Sequence, residues 1–218
     1  MQIREGYGTT ECVTASCLTP VDTARDGSIG IPFPDTFYKI VRPGTAEEVA
    51  PGEEGEICLS GPTVMLGYLD NPKETALVLQ RHNDGRIWLH TGDLATMDTE
   101  GYVTVRGRSK NMLLTASGQN IYPEEIESKL NNMPYVSESL IVLQKDKLVA
   151  LIYPDFDDAF AHGMEQSDIE KVMEDNRNEL NLQLPAYSQI TKVKIHFEEF
   201  EKTAKKSIKR FMYQEVKG

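Results

Sequence analysis

Residues 88–94, WLHTGDL, are the most informative part of the chain, and residues 107–110, GRSK, follow them further along. On its own, an aspartate after a glycine fits an ordinary turn. The tryptophan, leucine and histidine before Gly92-Asp93, together with the Gly-Arg pair downstream, disfavour that interpretation. We therefore treat residues 88–94 and 107–110 as two parts of one functional pattern.

Two further motifs flank this pattern. Residues 7–11 form YGTTE, and residues 118–127 form GQNIYPEEIE. One short motif is a weak signal, whereas four motifs in a fixed order along nearly the whole chain are a strong one.

Taken together, the four motifs resemble the second half of the acyl-adenylate-forming enzymes, which include acyl-CoA synthetases, luciferases and peptide-synthetase adenylation domains. The resemblance implies an enzyme that uses ATP and Mg²⁺ to convert a carboxylic acid to acyl-AMP, and then transfers the acyl group to the thiol of coenzyme A. The ending at 200–213, FEKTAKKSIKRFMY, resembles the long-chain fatty-acid–CoA ligase branch.

The position of the YGTTE motif implies a fragment. Members of this family are more than twice as long, and their Ser/Thr/Gly-rich phosphate loop precedes that motif, which here begins at Tyr7. We expect a truncated chain or a split gene product whose natural partner is the absent N-terminal half. Alone, the chain is expected to be inactive, with unpaired strand edges that fray or pair between molecules near its N-terminus.

Composition narrows the functional classes. A net charge of −11 argues against a nucleic-acid partner, and the apolar runs are too short for a transmembrane segment. The three cysteines form no C-x-x-C pair, which favours a reduced, cytoplasmic location. Zinc binding by Cys12 and Cys17 is disfavoured because a second ligand pair is lacking.

Local patterns predict an α+β fold in two parts. Residues 1–108 should be mainly β and form the end of the large AMP-binding domain. They contain expected strands at 56–60 and 101–107. The sequence Asn71-Pro72 supplies a cap and a proline suited to the first turn of a helix that should run to about Gln80.

Residues 109–218 should form a small, mobile α+β domain. We expect a helix from Pro123, a β-hairpin that turns at 144–147, and a helix opened by a capping box at 167–170. A half-buried strand at 193–197 should follow. A final helix should start at about Ser207 and place four residues inward: Ile208, Phe211, Met212 and Val216.

Five candidate site residues in the first part take their roles from the resemblance. Tyr7 would lie against adenine, and Thr10 would bind phosphate. Glu11 would bind Mg²⁺, which prefers hard oxygen ligands. Asp93 would accept both ribose hydroxyls, which suits the several lone pairs of a carboxylate, and Arg108 would contact the nucleotide. Without the later motifs, Tyr7 and Glu11 fit an ordinary buried aromatic and a surface carboxylate.

Two more residues concern movement and the thiol substrate. Lys110 occupies the family's hinge position, about which the small domain rotates between the two half-reactions. Gly118 lies in the loop at 117–120 that resembles the lining of the pantetheine tunnel, and glycine permits close approach of a ligand. A linker lysine and an ordinary turn glycine remain open alternatives.

The chain departs from the family near its C-terminus. A lysine is usual in a Gly-Lys-Ile-x-Arg-like run, where its ammonium stabilises the charge that develops during adenylation. Ser207 stands at that position here. Either Lys206 or Lys205 replaces it, or this step is impaired, and we favour Lys206. The basic residues around it could equally form a solvated face.

Two other functions stay open at this point. The parent protein could be an acyl-AMP ligase that loads a carrier protein. The chain could also be a stand-alone binding module without catalysis, which the absence of the phosphate loop favours.

Overall fold

A computed structural model describes residues 3–13, 15–115, 118–204 and 206–214. The chain divides into two compact units, Met1–Lys110 and Asn111–Gly218. The division falls two residues beyond the predicted boundary after 108. Within the described ranges, no helix is both long and apolar enough to cross a membrane.

The first unit is mainly β, as predicted. A small antiparallel sheet in the order β1-β2-β3 consists of β1 (Gly6–Tyr7), β2 (Cys17–Leu18) and β3 (Ile31–Pro32). A larger sheet has the order β4-β5-β7-β6, with β8 paired to β7. Its strands are β4 (Phe37–Val41), β5 (Glu54–Ser60), β6 (Leu79–Arg81), β7 (Ile87–Met97) and β8 (Val103–Arg108).

A continuous apolar cluster supports the sites of this unit. Ile57 and Leu59 on β5 pack with Leu89 and Ala95 on β7 and with Val103 on β8, and all five are buried. Alternate residues of a strand point to one face, so the intervening polar residues of β5 and β7 lie on the other.

The helix predicted after Asn71 is confirmed, but it is shorter than expected. Helix α1 (Pro72–Val78) starts with a proline, and the Asn71 side chain accepts a hydrogen bond from the Glu74 amide at 3.2 Å. The helix ends at Val78 because the next residues form β6 and pair with β7. Hydrogen bonds between β6 and the buried strand β7 are thus more favourable here than one more turn of α1.

Strand β7 carries a large bulge at the GD motif. Glu56 pairs with Leu94, but Cys58 pairs with His90, so Ile57 alone opposes the three residues at 91–93. Extra residues of this kind bend a strand and redirect its side chains. The motif is therefore a loop held inside a strand.

The second unit is a small α+β domain. Its main sheet has the order β11-β12-β13, in which β12 pairs antiparallel with β11 and parallel with β13. A separate pair joins β9 to β10. The strands are β9 (Leu113–Leu114), β10 (Asn120–Ile121), β11 (Val136–Gln144), β12 (Lys147–Pro154) and β13 (Lys192–Ile195); the helices are α2 (Pro123–Leu130), α3 (Phe156–Ala161) and α4 (Gln166–Gln183).

The predicted helix start at Pro123 and the hairpin turn are both confirmed. Lys145 and Asp146 connect β11 to β12 with φ of 48° and 58°. Positive φ at both central residues is the conformation of the tight turn that suits the twist of a two-strand hairpin. The α+β class is thereby confirmed for the chain.

The start of α4 differs from the prediction. The N-cap is Glu165, and it forms a capping box with Asp168, whose carboxylate accepts from the Glu165 amide at 2.9 Å. Ser167 lies inside the first turn. Helix α3, which the sequence analysis did not predict, precedes this start and is capped by Asp155.

The predicted final helix is wrong. Lys206 has a φ of 61°, in the left-handed region, and Lys202 pairs with Ile208 in an isolated antiparallel bridge. The chain turns back on itself between them, and the Ser207 carbonyl accepts from the Thr203 amide at 2.8 Å. A helix cannot begin inside such a turn.

The residues beyond this turn also differ from the prediction. Among the residues described after this turn, up to residue 214, one turn of 3-10 helix forms, at Arg210–Met212. Phe211 and Met212 are 74% and 52% exposed instead of facing inward, and Val216 lies outside the described residues. Ile208, by contrast, packs against buried side chains of β11 and β12.

Candidate active site

Three residues from three separate motifs meet at the Asp93 carboxylate. The Tyr7 hydroxyl donates to Asp93 Oδ2, and Arg108 Nε lies 2.7 Å from Asp93 Oδ1. Register explains the second contact, because Asp93 on β7 is paired with Arg108 on β8. Tyr7 arrives on β1, from the opposite end of the unit's sequence.

Hydrogen bonds within the bulge of β7 hold Asp93 in place. The Thr91 hydroxyl donates to the Ile57 carbonyl at 2.8 Å and accepts from the Asp93 amide at 3.1 Å. The Gly92 amide donates to Glu56 Oε1 at 2.9 Å, and Gly92 has a φ of 73°. Glycine tolerates this left-handed conformation without steric cost, which explains the Gly-Asp order in the motif.

Burial affects the protonation state of Tyr7 beside Asp93. Asp93 is 5% exposed. Burial raises the pKa of the Tyr7 hydroxyl, and the adjacent Asp93 carboxylate raises it further. Tyr7 therefore stays a neutral donor throughout the physiological range, and Arg108 is the cation beside the carboxylate.

Thr10 and Glu11 lie together on one turn. Both belong to a 3-10 segment, Thr10–Cys12, that follows β1. Thr10 is exposed and Glu11 is half-buried. Glu11 Oε1 accepts from the Tyr68 hydroxyl at 2.9 Å. This turn offers a carboxylate and a hydroxyl, which are oxygen donors of the kind that suits Mg²⁺.

The remaining predicted residues are exposed. Lys110 lies in the 3-10 segment Ser109–Asn111, at the end of the first unit. Gly118 has a φ of 80°, and nothing lies within 4 Å of the position that a Cβ would take. Of the loop at 117–120, Ser117 lies outside the described residues. Lys206 is exposed at the left-handed turn, and Lys205 is not described.

Sequence reasoning missed a hydrogen-bonded chain behind the bulge. His90 Nδ1 lies 3.1 Å from Glu56 Oε2, and the Nε2 atoms of His90 and His82 are 3.0 Å apart. Burial raises the pKa of Glu56, but the contacts with His90 and the Gly92 amide outweigh that effect and lower it overall. Only His90 carried a signal, because it lies within the motif.

Sequence reasoning also missed an ion pair in the second unit. Both guanidinium nitrogens at the end of Arg210 bond the Glu127 carboxylate, one of them from Nη1 to Oε1 at 2.8 Å. The Ile141 amide donates to the same Oε1 at 2.7 Å. These hydrogen bonds join the C-terminal segment to α2 and β11. Glu127 and Arg210 each lie in a motif recognised from the sequence, but their pairing was not predicted.

Comparisons with known proteins agree with the motifs. A sequence-family model described as "AMP-binding enzyme" matches residues 1–69. A second, "AMP-binding enzyme C-terminal domain", matches residues 110–215. A long-chain-fatty-acid–CoA ligase of Escherichia coli O157:H7 is 44% identical over 135 residues, which cover 62% of this chain and 23% of that protein.

Solved structures give the same result. ATP-bound MatB from Rhodopseudomonas palustris matches with a TM-score of 0.70 and 27% identity, over 97% of this chain and 40% of that one. The o-succinylbenzoate coenzyme A synthetase of Bacillus subtilis, in complex with ATP and magnesium ion, matches with a TM-score of 0.75 and 26% identity, over 95% of this chain and 40% of that one.

The chain thus spans about a quarter of the curated ligase and two fifths of these structures. The two family models together match most of its residues. Tyr7, Asp93 and Arg108, which come from three of the motifs recognised in the sequence, meet at one carboxylate. The chain belongs to the AMP-binding enzyme family.

Proposed function

We propose that this chain is the C-terminal part of an AMP-forming acyl-CoA synthetase that acts on a fatty acid. In the complete enzyme, a carboxylate oxygen attacks the α-phosphate of ATP, which forms acyl-AMP and releases pyrophosphate. The thiol of coenzyme A then attacks the acyl carbonyl and releases AMP. The observation that carries the proposal is the meeting of Tyr7, Asp93 and Arg108 at one buried carboxylate.

Asp93 would bind the ribose in this proposal. A carboxylate can accept two O–H donors, which suits the vicinal hydroxyls of the sugar. Arg108 keeps a partly exposed guanidinium beside it, with 46% of the side chain accessible, and so offers a cation to the nucleotide. Tyr7, whose hydroxyl bonds Asp93, would present its ring to adenine.

Thr10 and Glu11 would handle the phosphates and the metal. They are adjacent residues of one 3-10 segment, and a hydroxyl with a carboxylate is a donor set that fits Mg²⁺. When bound, the ion would neutralise phosphate charge. The hydroxyl of Tyr68 orients the Glu11 carboxylate through a 2.9 Å hydrogen bond.

The second unit would act as the mobile domain. Lys110 would be the hinge, since a few backbone dihedrals at a boundary can absorb a domain rotation. Gly118 would line the path of the pantetheine thiol. All three cysteines, Cys12, Cys17 and Cys58, are free, which fits a reducing, cytoplasmic compartment.

A direct test compares the complete protein with the isolated 218-residue chain. We expect the complete protein to release AMP in a reaction that requires ATP, a fatty acid and free coenzyme A. The isolated chain should show no acid-dependent ATP–pyrophosphate exchange. Exchange by the isolated chain would contradict the proposal, and AMP release that needs a carrier protein in place of coenzyme A would favour the carrier-loading ligase.

Lys206 gives a second test. In the complete enzyme, Lys206→Ala should slow acyl-adenylate formation by about 100-fold or more, because a cation aimed at developing charge is worth roughly 10²–10³ in rate. Thioester formation from supplied acyl-AMP should keep its rate. Rapid-quench measurement of each half-reaction checks both statements.

The neighbouring lysines serve as controls for this test. Lys209→Ala removes a cation that is paired with Glu201 at 3.3 Å and should leave both half-reactions unchanged. Parental adenylation by the Lys206→Ala enzyme would exclude Lys206 from the role. If Lys205→Ala then slowed adenylation, Lys205 would take the role of the lysine that the family usually has at the position of Ser207.

A further inference from the structure

A buried group of metal-binding side chains lies behind the bulge of β7, apart from the Asp93 carboxylate. We call Glu56, Cys58, His82 and His90 the Cys58 cluster. Glu56 and Cys58 are alternate residues of β5, and His90 on β7 is paired directly with Cys58. His82 follows β6, which is an edge strand of the sheet. The exposed fractions are 0% for Cys58, 5% for His82, and 7% for Glu56 and for His90.

Cys58, Glu56 and His90 place their ligand atoms at distances close to those around one ion. Cys58 Sγ lies 3.4 Å from His90 Nδ1, which lies 3.1 Å from Glu56 Oε2. The facing imidazole nitrogens of His82 and His90 are 3.0 Å apart. Ligand atoms of a tetrahedral zinc ion are separated by roughly 3.3–3.6 Å, given the usual bond lengths. One nitrogen or sulfur from each of Cys58, His82 and His90 can be chosen so that all lie within 4.8 Å of one another.

The charges of the cluster balance a divalent cation. A Cys58 thiolate and the Glu56 carboxylate together carry two negative charges, and neutral imidazoles add none, so a bound divalent ion gives a neutral buried site. The nearby cation Lys39 is paired with Asp84 at 2.7 Å and leaves this balance intact.

Hydrogen bonds alone do not satisfy the cluster. His82 Nδ1 is buried and has no hydrogen-bond partner among the residues that the structure describes, and an unpaired buried polar atom costs about 1–3 kcal/mol. The Cys58 thiol, a weak hydrogen-bonding group, contacts His90 Nδ1 at 3.4 Å. His82 Nδ1 and Cys58 Sγ are thus available to a metal ion without the loss of a strong hydrogen bond to a described residue.

One adjustment is needed for a single ion. His90 presents Nδ1 to Cys58 and Glu56 but Nε2 to His82, so the His82 side chain must swing toward the Nδ1 side of His90. His82 begins the turn that joins β6 to β7 and is held there by the bond from its amide to the Arg86 carbonyl at 3.0 Å. Opening this turn at the sheet edge would supply both the movement and a path for the ion.

We propose that the Cys58 cluster is a binding site for one zinc ion, with Cys58, His82 and His90 as ligands and Glu56 as the fourth. A thiolate with two imidazoles selects zinc over magnesium or calcium, which prefer all-oxygen sites. This site is separate from the magnesium site proposed at Glu11 and does not depend on the proposed enzymatic activity.

Cobalt(II), which substitutes for zinc and absorbs light, is the probe for the test. The metal-free 218-residue chain is titrated with cobalt and then with zinc. We expect one equivalent of cobalt to produce thiolate-to-metal charge-transfer absorption and the intense visible bands of tetrahedral coordination. One equivalent of zinc should then abolish both. If these bands did not appear by one equivalent of cobalt, the proposal would be overturned.

Matched serine variants locate the site. Cys58→Ser should remove the charge-transfer band and weaken zinc binding by about 100-fold or more, since even outer-shell partners of metal ligands contribute 10–100-fold to affinity. Cys17→Ser changes a thiol that is equally buried but donates to the Ile29 carbonyl, so it should bind cobalt normally. Unchanged binding by Cys58→Ser would refute the site.

A measurement on the unaltered chain covers the case in which a variant fails to fold. Partial unfolding exposes thiols to an alkylating reagent, and mass spectrometry reports the rate at each cysteine. Zinc should slow the alkylation of Cys58 at least 10-fold relative to that of Cys12. Equal rates for Cys58 with and without zinc would count against the proposal.

Discussion

Replacing Arg210 with methionine should lower the free energy of unfolding of the second unit by about 3–5 kcal/mol, because the change leaves a buried carboxylate without its cation. The Glu127 side chain is only 9% exposed, and Arg210 bonds both of its oxygens. The remaining partner, the Ile141 amide, cannot neutralise the charge. Native-state hydrogen exchange at Leu130 and Ile141 measures this loss within the unit itself.

The pH dependence of this loss follows from the Glu127 carboxyl. Burial raises the pKa of Glu127 above its ordinary value of 4.5, although Arg210 opposes the shift. A carboxyl whose pKa is raised by folding stabilises the folded state most at low pH, and this contribution is lost as pH rises through the folded pKa. Removing Arg210 raises the pKa further. The deficit of the Arg210→Met variant should therefore be largest at neutral pH and shrink toward pH 4.5.

Two variants control the Arg210 experiment. Lys209→Met removes an adjacent ion pair with the 60% exposed side chain of Glu201 and should cost at most about 1 kcal/mol. The double change Arg210→Met, Glu127→Met removes both charges and should recover most of the loss. If Arg210→Met alone stayed within about 1 kcal/mol of the parent chain, the ion pair would not anchor the C-terminal segment.

Replacing Asp93 with asparagine should lower kcat/KM for ATP in the complete enzyme by roughly 10²–10³. An asparagine keeps the size of the side chain but has one acceptor oxygen and no charge. Hydrogen bonds to a charged group are worth about 1.5–3 kcal/mol each. The loss of one ribose bond and the weakening of the other, together about 3–4 kcal/mol, account for a factor of roughly 10²–10³. The effect rests on the proposed function.

The ribose assignment can be separated from a structural effect by changing the substrate. The parent enzyme should prefer ATP to 2′,3′-dideoxy-ATP, and Asp93→Asn should abolish most of this preference. Asp98→Asn alters a carboxylate just after β7 that is paired with Arg25 and has 40% of its side chain exposed, and should leave the preference unchanged. An equal loss for both nucleotides in Asp93→Asn would mean that Asp93 supports the fold without binding ribose.

Sequence reasoning predicted the elements whose signals are local. The cap at Asn71, the proline at 123 and the strand at 56–60 each depend on neighbours within a few residues, and all three are confirmed. Predictions failed where distant contacts decide. Leu79 was expected in α1 but pairs with Leu89 in the sheet. The apolar spacing after Ser207 favours a helix, but the segment forms a turn closed by the pairing of Lys202 with Ile208.

The candidate site shows the same division. The motifs identified Tyr7, Asp93 and Arg108 one at a time, and their roles remain predictions. Nothing local indicated that Tyr7 would reach Asp93, because that contact depends on how the first strand packs against the sheet. Glu127 belonged to a motif, yet its ion pair with Arg210 joins residues far apart in the sequence.

By itself, the sequence determined the family, the α+β class and the residues that carry the candidate chemistry, because turns, caps and short motifs encode their geometry in adjacent residues. Only the tertiary structure decided which of these residues share a site. Strand register placed Asp93 opposite Arg108 and Cys58 opposite His90, and register is set by the burial of whole strands. The Cys58 cluster illustrates this most clearly, since its histidines and cysteine come together only once β5, β6 and β7 have paired.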